Sequence, residues 1–255
     1  MEEGICHLTL IPLRAEPSHR SEMVSQLLFG EGYEVVETAR DWLRVVMHGR
    51  VAEGWIPANQ YHVYTGRGNL RLYVPLLVTD TRPPGLVTMG AVSALNPDDD
   101  PFFQVRNTSN FDCWTFPGLN FDFTDEERAE FLKNAALSLL GAPYLWGGRT
   151  PFGIDCSGFT QLIFMLAGRN LPHSASQQLA CCASKSIDFV QEARLGDLAF
   201  FHNEEGKIVH VGMMLGDDRI IHASGQVRID RIDETGIFNE ELHRYTHQLR
   251  VIVRV

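Results

Sequence analysis

Cys156 is the residue whose type and position point most directly to chemistry, because a helix is predicted to begin at it. Apolar side chains recur after it with the spacing of one helix face: Phe159, Leu162, Ile163 and Leu166. A thiol at a helix N-terminus meets unpaired N–H groups and the positive end of the helix dipole, which lower its pKa. Cys156 is therefore a candidate nucleophile, and an inert buried cysteine is the alternative.

A cysteine nucleophile needs a general base within hydrogen-bond reach and a third group that orients this base. His210 and His222 lie on neighbouring predicted strands joined by a turn at residues 216–218. If the loop has three residues, Leu215 pairs with Arg219, and both imidazoles project from one face as diagonal neighbours. A two-residue loop would place them on opposite faces. Most of the other eight histidines fit surface or strand-capping positions.

The composition is that of a globular protein, since 44% of the 255 residues are hydrophobic and 21% are charged. The formal net charge of −10 argues against general binding to nucleic acid or to an anionic membrane. No stretch approaches the ~18 apolar residues that a membrane span needs. We therefore expect no nucleic-acid partner and no membrane span, and the oligomeric state stays open.

The cysteines stand at spacings that fit neither a disulfide framework nor a metal site: Cys6, Cys113, Cys156, Cys181 and Cys182. We therefore expect no metal and no cofactor. The acidic start of the chain shows no secretory signal, and the odd number of cysteines fits a reducing compartment. These features predict a cytoplasmic location, or a periplasmic or extracellular one if a signal has been removed.

The elements that must position the candidate residues begin with short strands at residues 6–12, 33–38, 42–47 and 51–56. Turn residues separate them, which predicts a small β-barrel over residues 1–64. Its sequence resembles bacterial SH3-like domains in the runs Leu13-Arg14, Val24-Ser25-Gln26-Leu27, Gly32-Tyr33-Glu34-Val35, Trp42-Leu43-Arg44-Val45 and Gly54-Trp55-Ile56-Pro57. Residues 65–120 are predicted to form a second small β unit, also SH3-like.

The C-terminal half, residues 121–255, is predicted to be an α+β domain in which helices precede an antiparallel sheet. Thr124 and Glu127 match a capping box that opens the first helix, and the second helix begins at Cys156. Strand-like segments follow at residues 198–201, 209–215, 219–223 and 249–255. A cysteine helix that faces such a sheet is the layout of papain-like enzymes.

Residues 125–255 resemble the NlpC family of papain-like cell-wall cysteine peptidases. The resemblance rests on ordered motifs: Pro143-Tyr144-Leu145-Trp146-Gly147-Gly148, Asp155-Cys156-Ser157-Gly158-Phe159, Leu171-Pro172-His173-Ser174-Ala175-Ser176-Gln177-Gln178, Leu195-Gly196-Asp197-Leu198-Ala199-Phe200-Phe201, His210-Val211-Gly212-Met213 and Ile221-His222-Ala223-Ser224-Gly225. Together with the SH3-like region they are most similar to the dipeptidyl-peptidase VI type.

The resemblance implies a role for each candidate residue. Cys156 would be the nucleophile, His210 the base and later the acid, and His222 the group that orients His210. The residues expected around the substrate are Tyr144 and Trp146 beside the nucleophile, Asp155 and Ser157 at the pocket, Ser174, and Tyr61 or Tyr64 from the SH3-like region.

The implied reaction is hydrolysis of the γ-D-glutamyl bond to the diamino acid of peptidoglycan stem peptides, with lysine or diaminopimelate as that diamino acid. The family commonly has Arg-Asp after the proline of Leu171-Pro172, whereas this chain has His173-Ser174. Serine carries no charge for a peptide ammonium. Recognition of a free or a blocked substrate N-terminus therefore stays open. Alternatives are a cysteine amidase or acyltransferase, and a cell-wall binding protein that acts through SH3-like modules.

Overall fold

The computed structural model describes residues 2–64, 71–72, 77–79, 86–89, 92–93, 114–115, 123–182 and 185–255. The chain divides into two compact units. The first consists of Met1–Asp122 and Trp146–Pro151, and the second of Phe123–Leu145 and Phe152–Val255. In the described part of the chain, no helix is both long and apolar enough to cross a membrane.

The first unit is built around a six-stranded antiparallel sheet with the order β1-β4-β5-β6-β2-β3. Its strands are β1 (Glu2–Ile5), β2 (Leu10–Arg14), β3 (Met23–Leu28), β4 (Gly32–Ala39), β5 (Trp42–Met47) and β6 (Glu53–Pro57). Four strands were predicted near β2, β4, β5 and β6. The other two were missed, because β1 is short and β3 buries four consecutive residues instead of alternating.

The predicted second β unit, residues 65–120, lies almost wholly outside the described residues. Five short strands are described there: β7 (Arg71–Leu72), β8 (Leu77–Thr79), β9 (Leu86–Thr88), β10 (Val92–Ser93) and β11 (Trp114–Thr115). The division of the chain at residues 64 and 120 therefore stays a prediction.

A buried ion pair lies inside the first unit. Arg149, only 1% exposed, comes from the segment Trp146–Pro151 and reaches both carboxylate oxygens of Glu31, at 3.1 and 3.2 Å. Its guanidinium also donates to the carbonyl of Gln26 at 2.8 Å, and its backbone N–H donates to the side-chain oxygen of Gln26 at 2.8 Å. These contacts hold the segment Trp146–Pro151 within the first unit.

Substitution of Glu31 with Gln should destabilise the first unit by about 3–5 kcal/mol, because it leaves the Arg149 charge buried without its counter-charge. Glu37→Gln is the matched control, since Glu37 pairs with Arg44 at 2.9 Å on the surface and should cost under about 1 kcal/mol. Segment-resolved hydrogen exchange over β3 to β5 measures both. Equal protection losses in the two variants would contradict the assignment.

The second unit contains three helices and a seven-stranded antiparallel sheet. The helices are α1 (Asp125–Ser138), α2 (Cys156–Leu166) and α3 (Ala175–Cys182). Of two further short segments, β12 (Arg149–Thr150) belongs to the first unit and β13 (Gly153–Ile154) to the second. The sheet strands of the second unit are β14 (Ser186–Ile187), β15 (Leu198–His202), β16 (Ile208–Gly216), β17 (Arg219–Ser224), β18 (Gln226–Ile232), β19 (Gly236–Asn239) and β20 (Arg244–Val253). The predicted capping box at α1 is confirmed, with Thr124 and Glu127 bonded reciprocally at 2.9 and 3.2 Å.

Strand β20 closes this sheet on itself. One half of β20 pairs with β19 and the other half with β15, so the order β15-β16-β17-β18-β19 returns to β20. Apolar side chains fill the inside of the curve, among them Phe201, Met214 and Ile220. Helix α2 packs against β16 and β17. The sheet therefore presents side chains of several strands to one interior, next to the N-terminus of α2.

Candidate active site

Helix α2 begins at Cys156 because Asp155 caps it. The Asp155 side chain accepts hydrogen bonds from the backbone N–H of Gly158 at 2.6 Å and from the Ser157 hydroxyl at 3.0 Å. Asp155, Cys156 and Ser157 are all buried, with 5 to 6% of their surface exposed. A capping aspartate thus places a carboxylate beside the thiol at the start of the helix.

Burial is the main reason why the predicted lowering of the thiol pKa is wrong for this structure. Burial, reinforced by the adjacent Asp155 charge, raises the pKa of the Cys156 thiol to about 12. The backbone N–H groups of Val211 and Ser157 act in the opposite direction without overcoming burial. The Cys156 side chain is therefore a neutral thiol next to strand β16.

The hairpin of β16 and β17 sets the relation between His210 and His222. Its loop has two residues, because Gly216 pairs with Arg219, so the three-residue loop, one of the two alternatives, is not the one formed. A bulge between Met214 and Gly216 shifts the register back, and Gly212 pairs with His222. The predicted diagonal relation between His210 and His222 on one face is therefore confirmed.

Gly212 creates the space for this pair. It lies directly opposite His222, and a Cβ atom at position 212 would stand 2.9 Å from the Cβ of His222 and 2.8 Å from the end of the Ile220 side chain. The missing side chain lets the two imidazoles meet diagonally. Their nitrogens, His210 Nε2 and His222 Nδ1, are 2.9 Å apart.

A carboxylate extends this contact into a chain of three groups. His222 Nε2 lies 3.0 Å from Asp230 Oδ2, and both residues are buried. Arg228 donates two hydrogen bonds to the same carboxylate, from Nε at 2.7 Å and from Nη2 at 2.9 Å. Burial alone would raise the pKa of Asp230, but the bonds from His222 and Arg228 hold that pKa below its usual range. Asp230 is therefore an anion.

The charge on Asp230 decides which nitrogens carry protons. A carboxylate only accepts, so His222 donates from Nε2 and its Nδ1 bears a lone pair. His210 must then donate from Nε2 to His222 Nδ1, which leaves the lone pair of His210 on Nδ1. Burial, followed by the neighbouring His247 and His222, lowers the pKa of His210 well below its ordinary value. His210 is thus a neutral imidazole with a defined basic atom.

Sequence reasoning missed Arg228 and Asp230, because β18 was not among the predicted strands. The alternation of apolar and polar residues could have predicted this strand. Val227 and Ile229 lie between polar residues, and a turn at Gly225 precedes the strand. In the observed register Arg228 pairs with His222 and Asp230 with Ile220, so the charged residues share the face of the imidazoles.

His247 is a third imidazole in the same interior. Its ring stacks on that of His210, with centroids 4.0 Å apart and 26° between the planes, and lies edge-on to that of His222. A surface or strand-capping role was the sequence prediction, and it is wrong for His247. Burial lowers the pKa of His247 to about 4, an effect that His222 reinforces. Gly236 lets this strand approach, since a Cβ there would collide with the His247 carbonyl.

Tyr144 lies in the second unit with Cys156 and is electrostatically coupled to it. Burial, reinforced by the neighbouring Cys156 and Asp155, raises the pKa of the Tyr144 hydroxyl to about 12. The hydroxyl is therefore a protonated donor near the thiol. Its backbone is held by a bond from the Tyr144 N–H to the Gly225 carbonyl at 2.9 Å.

Ser174 has a structural role at the start of α3. Its hydroxyl accepts from the Gln177 N–H at 3.3 Å and lies 3.1 Å from the Ser176 hydroxyl. Gln178 was not among the predicted site residues. It is completely buried. Its amide donates to the carbonyls of Ser157 and Pro172 at 3.0 Å each, which braces α3 against the start of α2.

The remaining predicted residues belong to the first unit. The Tyr61 hydroxyl donates to the Glu3 carbonyl at 3.2 Å, and the Tyr64 backbone N–H donates to the same carbonyl at 3.0 Å. Trp146 is 59% exposed, and its indole N–H donates to Glu22 at 2.5 Å. Within the second unit, by contrast, Asp155 contacts Ser157, Tyr144 is coupled electrostatically to Cys156 and Asp155, and His210 contacts His222.

Two family models match the chain. Residues 141–246 match the NlpC/P60 family, and residues 13–60 match the bacterial dipeptidyl-peptidase Sh3 domain. The chain carries an NlpC/P60 domain. The predicted resemblance is thereby confirmed, and the chain combines this NlpC/P60 domain with an SH3-like domain.

Two relatives align with most of this chain. A gamma-D-glutamyl-L-lysine dipeptidyl-peptidase of Bacillus cereus is 26% identical over 266 residues, which cover 88% of this chain and 74% of that protein. Dipeptidyl-peptidase 6 of Lysinibacillus sphaericus is 28% identical over 255 residues, which cover 87% and 89%. The crystal structure of an NlpC/P60 family protein from Bacillus cereus ATCC 10987 shares the fold, with a TM-score of 0.79 over 99% of both chains at 20% identity.

The buried histidines predict how the NlpC/P60 domain responds to acid. His210, His222 and His247 all have pKa values below 6.5 in the folded state. The unfolded state therefore binds more protons as the pH falls from about 6.5 towards 4, and the free energy of unfolding should decrease over this window. Thermal unfolding measured at a series of pH values tests this.

The variant His247→Gln should flatten this pH dependence, because it removes one of the three groups. His243→Asn is the matched control, since His243 is exposed in the same unit and its positive φ suits asparagine. The control should keep the wild-type slope. Stability that stays constant or rises on acidification would contradict the assignment.

Proposed function

We propose that this protein is a cysteine peptidase that hydrolyses the γ-D-glutamyl bond to the diamino acid in peptidoglycan stem peptides. A papain-like arrangement, with the Cys156 helix against an antiparallel sheet and an SH3-like barrel before it, carries the activity. The observation that supports it best is the hydrogen-bonded set His210–His222–Asp230, since His210 precedes Val211, whose backbone N–H bonds to the buried Cys156 thiol. The relatives named dipeptidyl-peptidases support the choice of bond.

The proposed reaction begins with a neutral thiol and a neutral imidazole. Cys156 Sγ attacks the γ-carbonyl carbon of D-glutamate while its proton passes to Nδ1 of His210. The imidazolium that forms is stabilised through His222 by the Asp230 carboxylate. The backbone N–H of Cys156 and the hydroxyl of Tyr144 donate to the oxyanion.

Collapse of the tetrahedral intermediate expels the amine of the diamino acid, which takes the proton from His210 Nδ1. Water then attacks the thioester with His210 as base, which releases the free γ-carboxyl and restores the thiol. No step requires a metal or a cofactor. A cytoplasmic location, in which such peptides would be recycled, stays a prediction.

The substrate side of the proposal uses the residues around the thiol. Asp155 and Ser157 flank the peptide, and Ser174 lies near its N-terminal end, where an uncharged hydroxyl does not demand a free ammonium. Substrate contacts of Trp146 and of one of Tyr61 or Tyr64 stay predictions. Assays with free and with glycan-linked stem peptides decide which N-terminus is accepted.

The substitution Cys156→Ala should abolish release of L-Ala-γ-D-Glu from stem peptides that contain lysine or diaminopimelate, because the nucleophile is removed. Mass spectrometry of the products measures this and separates hydrolysis from acyl transfer or deamidation. Cys181→Ala is the matched control, since Cys181 is an exposed free cysteine in the same unit. Undiminished hydrolysis by a folded Cys156→Ala protein would refute the proposed function.

The substitution Asp230→Asn should lower kcat on the order of 10²-fold or more with little change in KM, because an amide no longer fixes the tautomers of His222 and His210. Glu241→Gln is the matched control. It removes the exposed partner of Arg228, whose oxygen lies 3.3 Å from Nη1, and leaves Asp230 in place. A Glu241→Gln defect as large as that of Asp230→Asn would contradict the tautomer argument.

A further inference from the structure

The interior of the closed sheet brings three imidazoles together, and the proposed reaction uses two of them. One ring nitrogen from each of His210, His222 and His247 can be chosen so that all three lie within 4.8 Å of one another. Two of these rings are buried and the third is half-buried. Three histidines that leave one coordination position for water are a common ligand set for Zn²⁺.

We propose that His210, His222 and His247 form an inhibitory Zn²⁺ site, in which the metal replaces the hydrogen-bonding proton between His210 and His222. The expected inhibition of the peptidase rests on the proposed function, whereas the expected binding of Zn²⁺ does not. Water would complete a tetrahedral coordination sphere.

The distances support this arrangement with small movements. Zn–N bonds of about 2.0–2.1 Å place tetrahedral ligand atoms about 3.3 Å apart, whereas His210 Nε2 and His222 Nδ1 are now 2.9 Å apart. The two rings therefore need to separate by about 0.4 Å. The stacked ring of His247 must tilt towards the metal, and its partial exposure leaves it the most freedom to do so.

The surroundings of His222 are those of a metal ligand. A metal-bound histidine usually donates its second N–H to a carboxylate, which fixes the ring and raises its basicity as a ligand. His222 already donates from Nε2 to Asp230, and Arg228 holds that carboxylate, so Nδ1 is presented with its lone pair.

Binding would reverse the tautomer of His210. With Zn²⁺ on Nε2, the neutral ring carries its proton on Nδ1, the atom that the proposed reaction requires as a base. The proton is moved within the imidazole and is not lost, so the protein stays in the same overall ionisation state. Zn²⁺ is therefore expected to act as a reversible inhibitor that a chelator removes.

The test is a calorimetric titration of the tag-free protein with Zn²⁺, alongside peptidase assays with and without the metal and after chelation. The wild-type protein should bind Zn²⁺ and lose activity at the same metal concentrations. His247→Phe keeps a ring to stack on His210 but offers no ligand atom. This variant should keep its peptidase activity, while its affinity for Zn²⁺ falls more than about tenfold, and inhibition weakens in parallel.

Two further variants separate this site from other zinc ligands. Cys156→Ala should still bind Zn²⁺, and loss of binding there would show that the thiol holds the metal and overturn the proposal. His62→Gln disrupts the His7–His62 pair of the first unit, whose centroids are 4.7 Å apart, and should leave the affinity unchanged. Unaltered binding and inhibition in His247→Phe would also overturn the proposal. If the wild-type protein binds Zn²⁺ at this site but hydrolyses no stem peptide, the proposed function fails and the metal site stands.

Discussion

The ion pair between Arg228 and Asp230 is the interaction on which the active site depends. Arg228 grips the carboxylate with two bonds of 2.7 and 2.9 Å, and this keeps a buried aspartate charged. A charged carboxylate can only accept, so it fixes the proton of His222, which in turn fixes the proton of His210. One ion pair at the end of the chain of hydrogen bonds thus specifies the basic atom at its other end.

The sheet must satisfy three conditions for this chain of groups to exist. The bulge in β16 has to restore the register that the two-residue turn would otherwise shift by one residue. Position 212 has to lack a side chain so that His210 and His222 can meet. Strand β18 has to lie beside β17 so that Arg228 faces His222. Loss of any one would remove a contact from this chain of groups.

The sequence predicted the nucleophile helix, the capping box and the pairing of the two histidines, because each depends on residues that are close along the chain. The sequence-based prediction failed where the position of a residue depends on packing between segments that are far apart along the chain. Asp230 and His247 reach the site only because β18 and β20 close the sheet. The bulge at residues 214–216 cannot be derived from turn residues alone, because it depends on which side chains of both strands are buried. Most of residues 65–120 lie outside the described part of the chain, so the second small β unit stays a prediction.

The error in the thiol pKa has a physical cause that applies to the whole site. A helix N-terminus stabilises a thiolate through its positive potential, but here burial raises the pKa of the thiol, and the charge of the capping Asp155 acts in the same direction. Burial disfavours every isolated charge in this region, so the thiol stays protonated and His210 stays neutral. In the proposed reaction, charges separate only when a substrate carbonyl accepts the electrons of sulfur. The imidazolium would then form on His210, two hydrogen bonds from the fixed anion Asp230.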